Sequence, residues 1–212
     1  MDKYLCIICS ECQNTKGELI TDINELFNGR TLVSVQEAQR VGVSRALLSY
    51  WAKMGKIKRM AQGYYSLPEE IEDELVLISK RSIRLVFSHE TALALHRLHN
   101  RIPERPTVTI PTGASVPRSI SQSVLAYRVR PEWHEIGRTE IESFQGNAIP
   151  CYDLERTICD IIRSHSRMNV ESYAGAMKAY AERKDKDVAL LFEYAKIMKI
   201  EMKVHKVMEV LA

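Results

Sequence analysis

Between Glu37 and Glu69 the sequence carries Arg40, Arg45, Lys53, Lys56, Lys58 and Arg59 and no Asp or Glu. In a chain whose formal net charge is only +3, that concentration is a local feature rather than a matter of bulk composition. Guanidinium and ammonium groups gathered without acids suit a polyanion, because each can neutralise a phosphate and release its counterion. Three other constellations invite chemistry. Cys6, Cys9 and Cys12 are spaced C-x-x-C-x-x-C. A structural zinc takes four ligands and no His precedes His89, so buried thiols beside Leu5 and Ile8 on one helical face are preferred to a metal site. His89-Glu90, with His96 and His99, could supply acid and base groups, and helical spacing brings His89, His96 and Arg97 within reach of one surface. The competing account is an ordinary helix with Glu90 in its first turn, Leu93, Leu95 and Leu98 in the core and His99 near its end. Glu155-Arg156-Thr157 and Asp160 offer an Arg156 to Asp160 pair one turn apart, either a structural ion pair or part of an interaction surface. No phosphate-binding loop, dinucleotide fingerprint, H-E-x-x-H or nucleophile elbow occurs, so no catalytic residue, metal or cofactor is expected and the chain is not read as an enzyme.

The elements that would position the basic groups are legible locally. Ser34-Val-Gln-Glu37 is a capping box opening a helix over residues 34 to 41. Gly42-Val43 makes a turn, and Ser44 caps a second helix over residues 44 to 54. At about 100° per residue, Leu47, Leu48, Trp51 and Met54 share one arc and Arg45, Ala46, Ser49, Tyr50 and Lys53 the other. Two extended segments, residues 57 to 60 and 64 to 67, flank Ala61-Gln-Gly63 as a β-hairpin would. Alternation turns Lys58 and Tyr64 to solvent and Ile57, Tyr65 and Leu67 inward. This is the layout of a helix-turn-helix with a basic wing. A helix face with Arg45, Ser49, Tyr50 and Lys53 suits a DNA major groove, Arg45 being the base-reading candidate. Ser44, Lys56, Lys58, Arg59, Gln62 and Tyr64 complete the expected DNA-binding set, with the wing cations on phosphates.

Elsewhere the pattern divides the chain. Upstream, Thr15-Lys-Gly-Glu18 is a capping-box pattern for a helix with Leu19, Ile23, Leu26 and Phe27 on one face, stopping at Asn28-Gly29. After Pro68, the acidic run from Glu69 to Glu74 leads into Leu75, Val76 and Ile78 as a connecting helix. Strand-like runs then occupy residues 83 to 87, 107 to 110, 124 to 129 and 141 to 144, with a helix starting at Ser88. From Asp153 the periodicity is helical, through Ile158, Ile161 and Ile162, then Tyr173, Met177 and Tyr180, then Val188, Leu191, Ala195 and Met198, then Val204, Val207 and Leu211. The fold class is therefore α+β: an N-terminal winged helix-turn-helix domain over residues 1 to 72, then a mixed α+β domain over residues 73 to 212 ending in several helices. Residues 80 to 150 carry ten basic and six acidic side chains, and Lys80, Arg81, Arg84, Arg97, Arg101 and Arg105 form either a second basic surface or scattered solvated charge. No apolar run is long enough to span a bilayer and no leader pattern opens the chain, so a cytoplasmic protein with reduced thiols, Cys151 and Cys159 in its core, is expected.

Three segments together resemble one family. SVQEAQRVGVSRALLSYWAKMGKIKRMAQGYYSLPEE, FSHETALALHRLHNRIPERPTVTIPTG and CYDLERTICDIIR, in that order, resemble the AbiEi antitoxins of the bacterial AbiE abortive-infection systems, classed as type IV toxin-antitoxin modules. The resemblance implies a repressor of its own toxin-antitoxin operon that binds inverted repeats in its promoter. It also implies a C-terminal domain that counteracts a cognate nucleotidyltransferase-type toxin, a functional partner with which no stable complex is required. Residues 1 to 30 depart from the family's pattern, and the operator-reading face is one that members vary. Two other classes stay open on the residues alone: a winged-helix regulator responding to a small ligand, and a DNA-targeted nuclease whose carboxylates leave faint signatures.

Overall fold

The computed structural model describes residues 23–28, 30–61, 63–69 and 73–211. Cys6, Cys9 and Cys12, the capping pattern from Thr15, the helical face of Leu5, Ile8 and Leu19, Gln62, the acidic run over residues 70–72 and the side chain of Leu211 lie outside them. The protein is mixed α+β and divides into two compact units, Met1–Glu72 and Asp73–Ala212.

In the first unit, α1 (Ile23–Phe27) ends at Asn28, whose φ of 43° is the left-handed value asparagine tolerates. β1 (Val33–Ser34) leads directly into α2 (Val35–Arg40), and the capping box is complete: Glu37 N donates to Ser34 Oγ and Ser34 N to Glu37 Oε2. α3 (Arg45–Lys53) is capped by Ser44, whose Oγ accepts from Leu47 N at 3.2 Å. Both helices end the same way. Gly42 N reaches Gln39 O and Val43 N reaches Ala38 O, while Gly55 N reaches Ala52 O and Lys56 N reaches Trp51 O. These are Schellman closures, and Gly42 and Gly55 hold the positive φ they need (85° and 71°). The hairpin β2 (Lys58–Ala61) and β3 (Tyr64–Ser66) follows, and β1 adds to β3 as a third strand, giving the order β1-β3-β2. Leu26, Phe27, Val33, Ala38, Val43, Leu47, Leu48, Trp51, Ile57 and Tyr65 form the core. Met54, expected there, is 57% exposed, because as the C-cap of α3 it lies past the last turn that faces the core.

In the second unit, Asp73 Oδ1 accepts from Val76 N and caps α4 (Glu74–Ser79), so the expected connecting helix runs from Glu74. The buried Asp73 also takes hydrogen bonds from Ser143 Oγ and Asn147 Nδ2. β4 (Val86–Phe87) is shorter than its apolar run, since Ile83 is 85% exposed in the preceding turn. Then come α5 (His89–Leu95), β5 (Thr107–Pro111), β6 (Leu125–Val129), α6 (Pro131–His134), β7 (Arg138–Glu142) and β8 (Ala148–Tyr152). The sheet order is β6-β5-β4-β8-β7, parallel at β5/β6 and β4/β8 and antiparallel at β4/β5 and β7/β8. The helices α7 (Leu154–Ser164), α8 (Val170–Glu182), α9 (Val188–Ile197) and α10 (Glu201–Leu211) share a core with Leu93 and Leu98, built on Ile158, Ile161, Ile162, Met177, Tyr180, Leu191, Ala195, Met198 and Val204. Cys151 and Cys159 are buried free thiols, as expected, and burial pushes both pKa values up.

At the centre of this unit α7 buries its polar residues with its apolar ones. Arg156 Nε donates to Asp160 Oδ2 at 3.2 Å, both side chains fully buried, and Asp160 Oδ1 accepts from Arg163. Arg156 also donates to the carbonyls of Trp133 and Ile136 and lies over the Tyr152 ring at 4.1 Å. The pair is structural, with no face open to a partner. Gly137 permits it: a Cβ there would lie 2.5 Å from Arg156 Cβ, and its φ is 66°. Arg156→Met, which keeps volume but leaves Asp160 with Arg163 alone and two carbonyls without their donor, is expected to cost about 3–5 kcal/mol, read by urea denaturation. A loss below about 1 kcal/mol would show that the pair does not hold α7 in place.

Candidate nucleic-acid interface

The N-terminus of α2, the exposed side of α3 and the hairpin converge on one groove of about 450 Å³. Ser34, Val35 and Gln36 line it from the first, Arg45 and Ser49 from the second, and Arg59, Gly63, Tyr64 and Tyr65 from the third. Among the described residues that line it there are two guanidinium groups and no carboxylate. Local rules produce this convergence. Arg45 and Ser49 are four residues apart on α3, hence on one face, and their helix is oriented by the Ser44 cap and the Gly42 turn. The hairpin is tied to α2 by Val35 N donating to Gly63 O at 2.8 Å. Gly63 has φ 82°, and an added Cβ would meet nothing, so backbone conformation and not space requires the glycine.

Of the expected DNA-binding residues, Arg45, Ser49, Arg59 and Tyr64 line the groove. Tyr50 and Lys53 are exposed further along α3, and Lys56 and Lys58 are exposed at the approach to the hairpin. Ser44 is occupied as the cap. Alternation along β2 is interrupted, because the ladder shifts register between Arg59 and Ala61. Lys58 is exposed, as expected, Arg59 is exposed beside it, and Tyr64 is half-buried rather than turned to solvent. Gln36 is a polar groove residue that the sequence reading passed over; its place as the second residue of a capped helix beside the hairpin depends on the β1–β3 pairing, which has no local signal.

The second basic set is divided among several segments. Lys80, Arg81 and Arg84 sit on the connection from α4 to β4, and the Arg105 guanidinium donates to Val124 O. Arg97 and Arg101, by contrast, line a common groove with His99.

No family model matches the chain, and no curated protein is similar to it. Among solved structures, the RV2827C protein from Mycobacterium tuberculosis is similar in fold, with a TM-score of 0.60 over 88% of this chain and 74% of that one at 11% sequence identity. At that identity the likeness concerns the fold alone. No helix among the described residues is long and apolar enough to cross a membrane.

His89 does not share a surface with His96 and Arg97. It is fully buried, has φ 48°, and its ring stacks on Tyr127 at 3.4 Å between centroids. Its Nδ1 lies 3.0 Å from Ser88 Oγ and its Nε2 3.2 Å from Ser164 Oγ, and Thr109 Oγ1 donates to Ser88 Oγ. Burial lowers its pKa to about 4. The unfolded imidazole takes a proton near pH 6.5 that the folded one refuses, so stability falls as pH drops through that value towards 4. Between pH 7 and pH 5 the loss from His89 is about 2 kcal/mol. Denaturation of the protein and of His89→Asn, which tolerates the backbone and stays neutral, is expected to show a shallower pH slope in the variant. Equal slopes would mean that His89 titrates normally in the fold.

Proposed function

We propose that the protein is a transcriptional repressor and antitoxin: its first unit a winged helix-turn-helix that binds inverted repeats in its own promoter, its second unit the part that counteracts a cognate nucleotidyltransferase-type toxin. The observation that carries the DNA-binding half is the groove, without an acid among its described lining residues, in which Arg45 and Ser49 of α3 face Arg59 and Tyr64 of the hairpin. With α3 in a major groove, Arg45 at its first turn is placed to fork onto guanine O6 and N7, and Ser49 one turn on to reach a neighbouring base edge. Lys56, Lys58 and Arg59 then neutralise phosphates, which fixes register and makes affinity fall with salt. Inverted repeats call for two copies related by a two-fold axis on the duplex. The antitoxin half rests on the resemblance of the SHETAL and ERTICD segments to AbiEi proteins, and places the protein in the cytoplasm of a bacterium defending itself against phage. A second reading, a regulator responding to a small ligand, is favoured by the groove that Arg97 and Arg101 line in the second unit.

The test is a mobility shift on the protein's own upstream region and on unrelated DNA across a salt series. Salt-sensitive binding that strongly prefers the upstream fragment is expected. Arg45→Ala should weaken it by about tenfold or more and relax sequence preference, while Lys58→Ala should weaken binding to both fragments and flatten the salt slope by about one unit. Equal binding to both fragments, or none, would sink autoregulation. For the second half, co-expression with a nucleotidyltransferase encoded beside the gene should restore growth that the enzyme alone arrests.

A further inference from the structure

The second unit contains a groove that the DNA reading does not use. It measures about 630 Å³ and lies between the segment after α5, with Arg97, His99 and Arg101, and the helix α8, with Ser172 and Gly175. An adjoining lobe of about 230 Å³ shares His99, Arg101 and Ser172 and adds Glu90, Leu93, Pro103 and Glu104. Ligand sites for small molecules occupy roughly 300–1,000 Å³, the range of the larger lobe.

Charge is divided between the two lobes. Arg97 lines the first, Glu90 and Glu104 the second, and Arg101 stands where they meet. Glu171 is the carboxylate on the first lobe, and it is exposed at the rim. The amides at the start of α8 are already used, since Asn169 Oδ1 accepts from Glu171 N and Ser172 N, so the cationic character belongs to side chains. In the second lobe, Glu90 Oε2 has no hydrogen-bond partner. Burial raises the Glu90 pKa, which favours a carboxyl able to donate as well as accept.

Arg97 is held at a backbone position that suits glycine. Arg97 N reaches Ala94 O and Leu98 N reaches Leu93 O, a Schellman closure with Arg97 at φ 59°. Gly42 and Gly55 fill the equivalent place in the first unit. An arginine there carries left-handed strain that a glycine would not. Lys199 ends α9 with the same geometry, so the backbone alone selects no ligand; the groove beside Arg97 does.

We propose that this double groove binds a nucleotide, with its phosphates against Arg97, His99 and Arg101 and its ribose hydroxyls or base amino group toward Glu90 and Glu104. The exposed Glu104 carboxylate in the second lobe repels phosphate, which fixes the orientation, and Leu93 and Pro103 give the ring an apolar wall.

Calorimetric titration of the full chain with ATP, GTP, CTP and UTP in turn, and with inorganic triphosphate, tests the assignment. At least one nucleoside triphosphate should bind about tenfold or more tightly than triphosphate. That binding should weaken about tenfold or more in Arg97→Gly and in Arg101→Ala, and stay unchanged in Arg45→Ala. Arg97→Gly serves as its own folding control, because relief of strain should raise its Tm by about 2–4 °C while binding is lost. Inorganic triphosphate binding as tightly as every nucleotide would overturn the proposal. So would loss of nucleotide binding in Arg45→Ala, full retention in Arg97→Gly, or binding of single-stranded RNA with no binding of any of the four nucleotides. None of these outcomes bears on the upstream-DNA mobility shift, so the two readings fail separately.

Discussion

A guanidinium withdrawn from water sets the terms for the second unit. A guanidinium keeps its charge wherever it packs, so once α7 is in place the charge of Arg156 must be met from inside. Asp160 one turn along supplies the countercharge to Nε, the carbonyls of Trp133 and Ile136 accept from Nη1, and the Tyr152 ring lies against the flat face of the guanidinium. These partners come from three stretches: the helix itself, the connection between β6 and β7, and the end of β8. Moving any of them would leave a buried charge uncompensated, which is costlier than losing an ordinary apolar contact. The same requirement fixes Gly137, because the chain passes so close to Arg156 that no side chain fits.

The first unit is held by weaker and more local means. Its core is small, and its accuracy comes from helix ends: a complete capping box on α2, a serine cap on α3, and glycine closures after both. Such caps contribute about 1 kcal/mol each, yet they decide where each helix starts and stops and so which way its exposed face points. That is the property a groove lined from three elements requires. Arg45 and Ser49 face Arg59 across it only because α3 begins at Ser44 and the chain turns at Gly55 towards the hairpin.

What the sequence made legible follows this division. Caps, glycine turns and helical faces are short-range, and the reading placed α2, α3, the hairpin and the four C-terminal helices near where they lie. It missed features set by distant partners. β1 is two residues that become a strand only by pairing with β3, and β8 contains Pro150, a residue that argues against a strand in isolation. Ile83 and Met54 looked like core residues by type, but each lies just outside the element that would have buried it. Lys58 is exposed as its alternation predicts, but the register shift after Arg59 left no mark in the alternation that turned Tyr64 to solvent. For the candidate interface, nine of its ten expected residues fall among those described, and four of them meet in the groove; Gln36 joined them through strand pairing that no local pattern announces.

The motifs that stood out most in the sequence of the second unit are the ones the fold has consumed. His89 and Thr91 of SHETAL, and Arg156, Thr157 and Asp160 of ERTICD, are buried, and their hydrogen bonds run to one another, to the hydroxyls of Ser88 and Ser164, to Arg163, to strands or to carbonyls. Chemistry with a partner needs groups that solvent can reach. In this unit the groups that both reach solvent and converge come from plainer text: Arg97, His99 and Arg101, in the segment between α5 and β5, opposite a helix whose Ser172 and Gly175 leave room in front of it. Strongly patterned segments build the scaffold because burial demands particular partners. A surface site demands only that a few charged groups be held at the right ends of that scaffold, which is why Arg97, at the closing turn of the SHETAL helix, is positioned by a motif to which it does not belong.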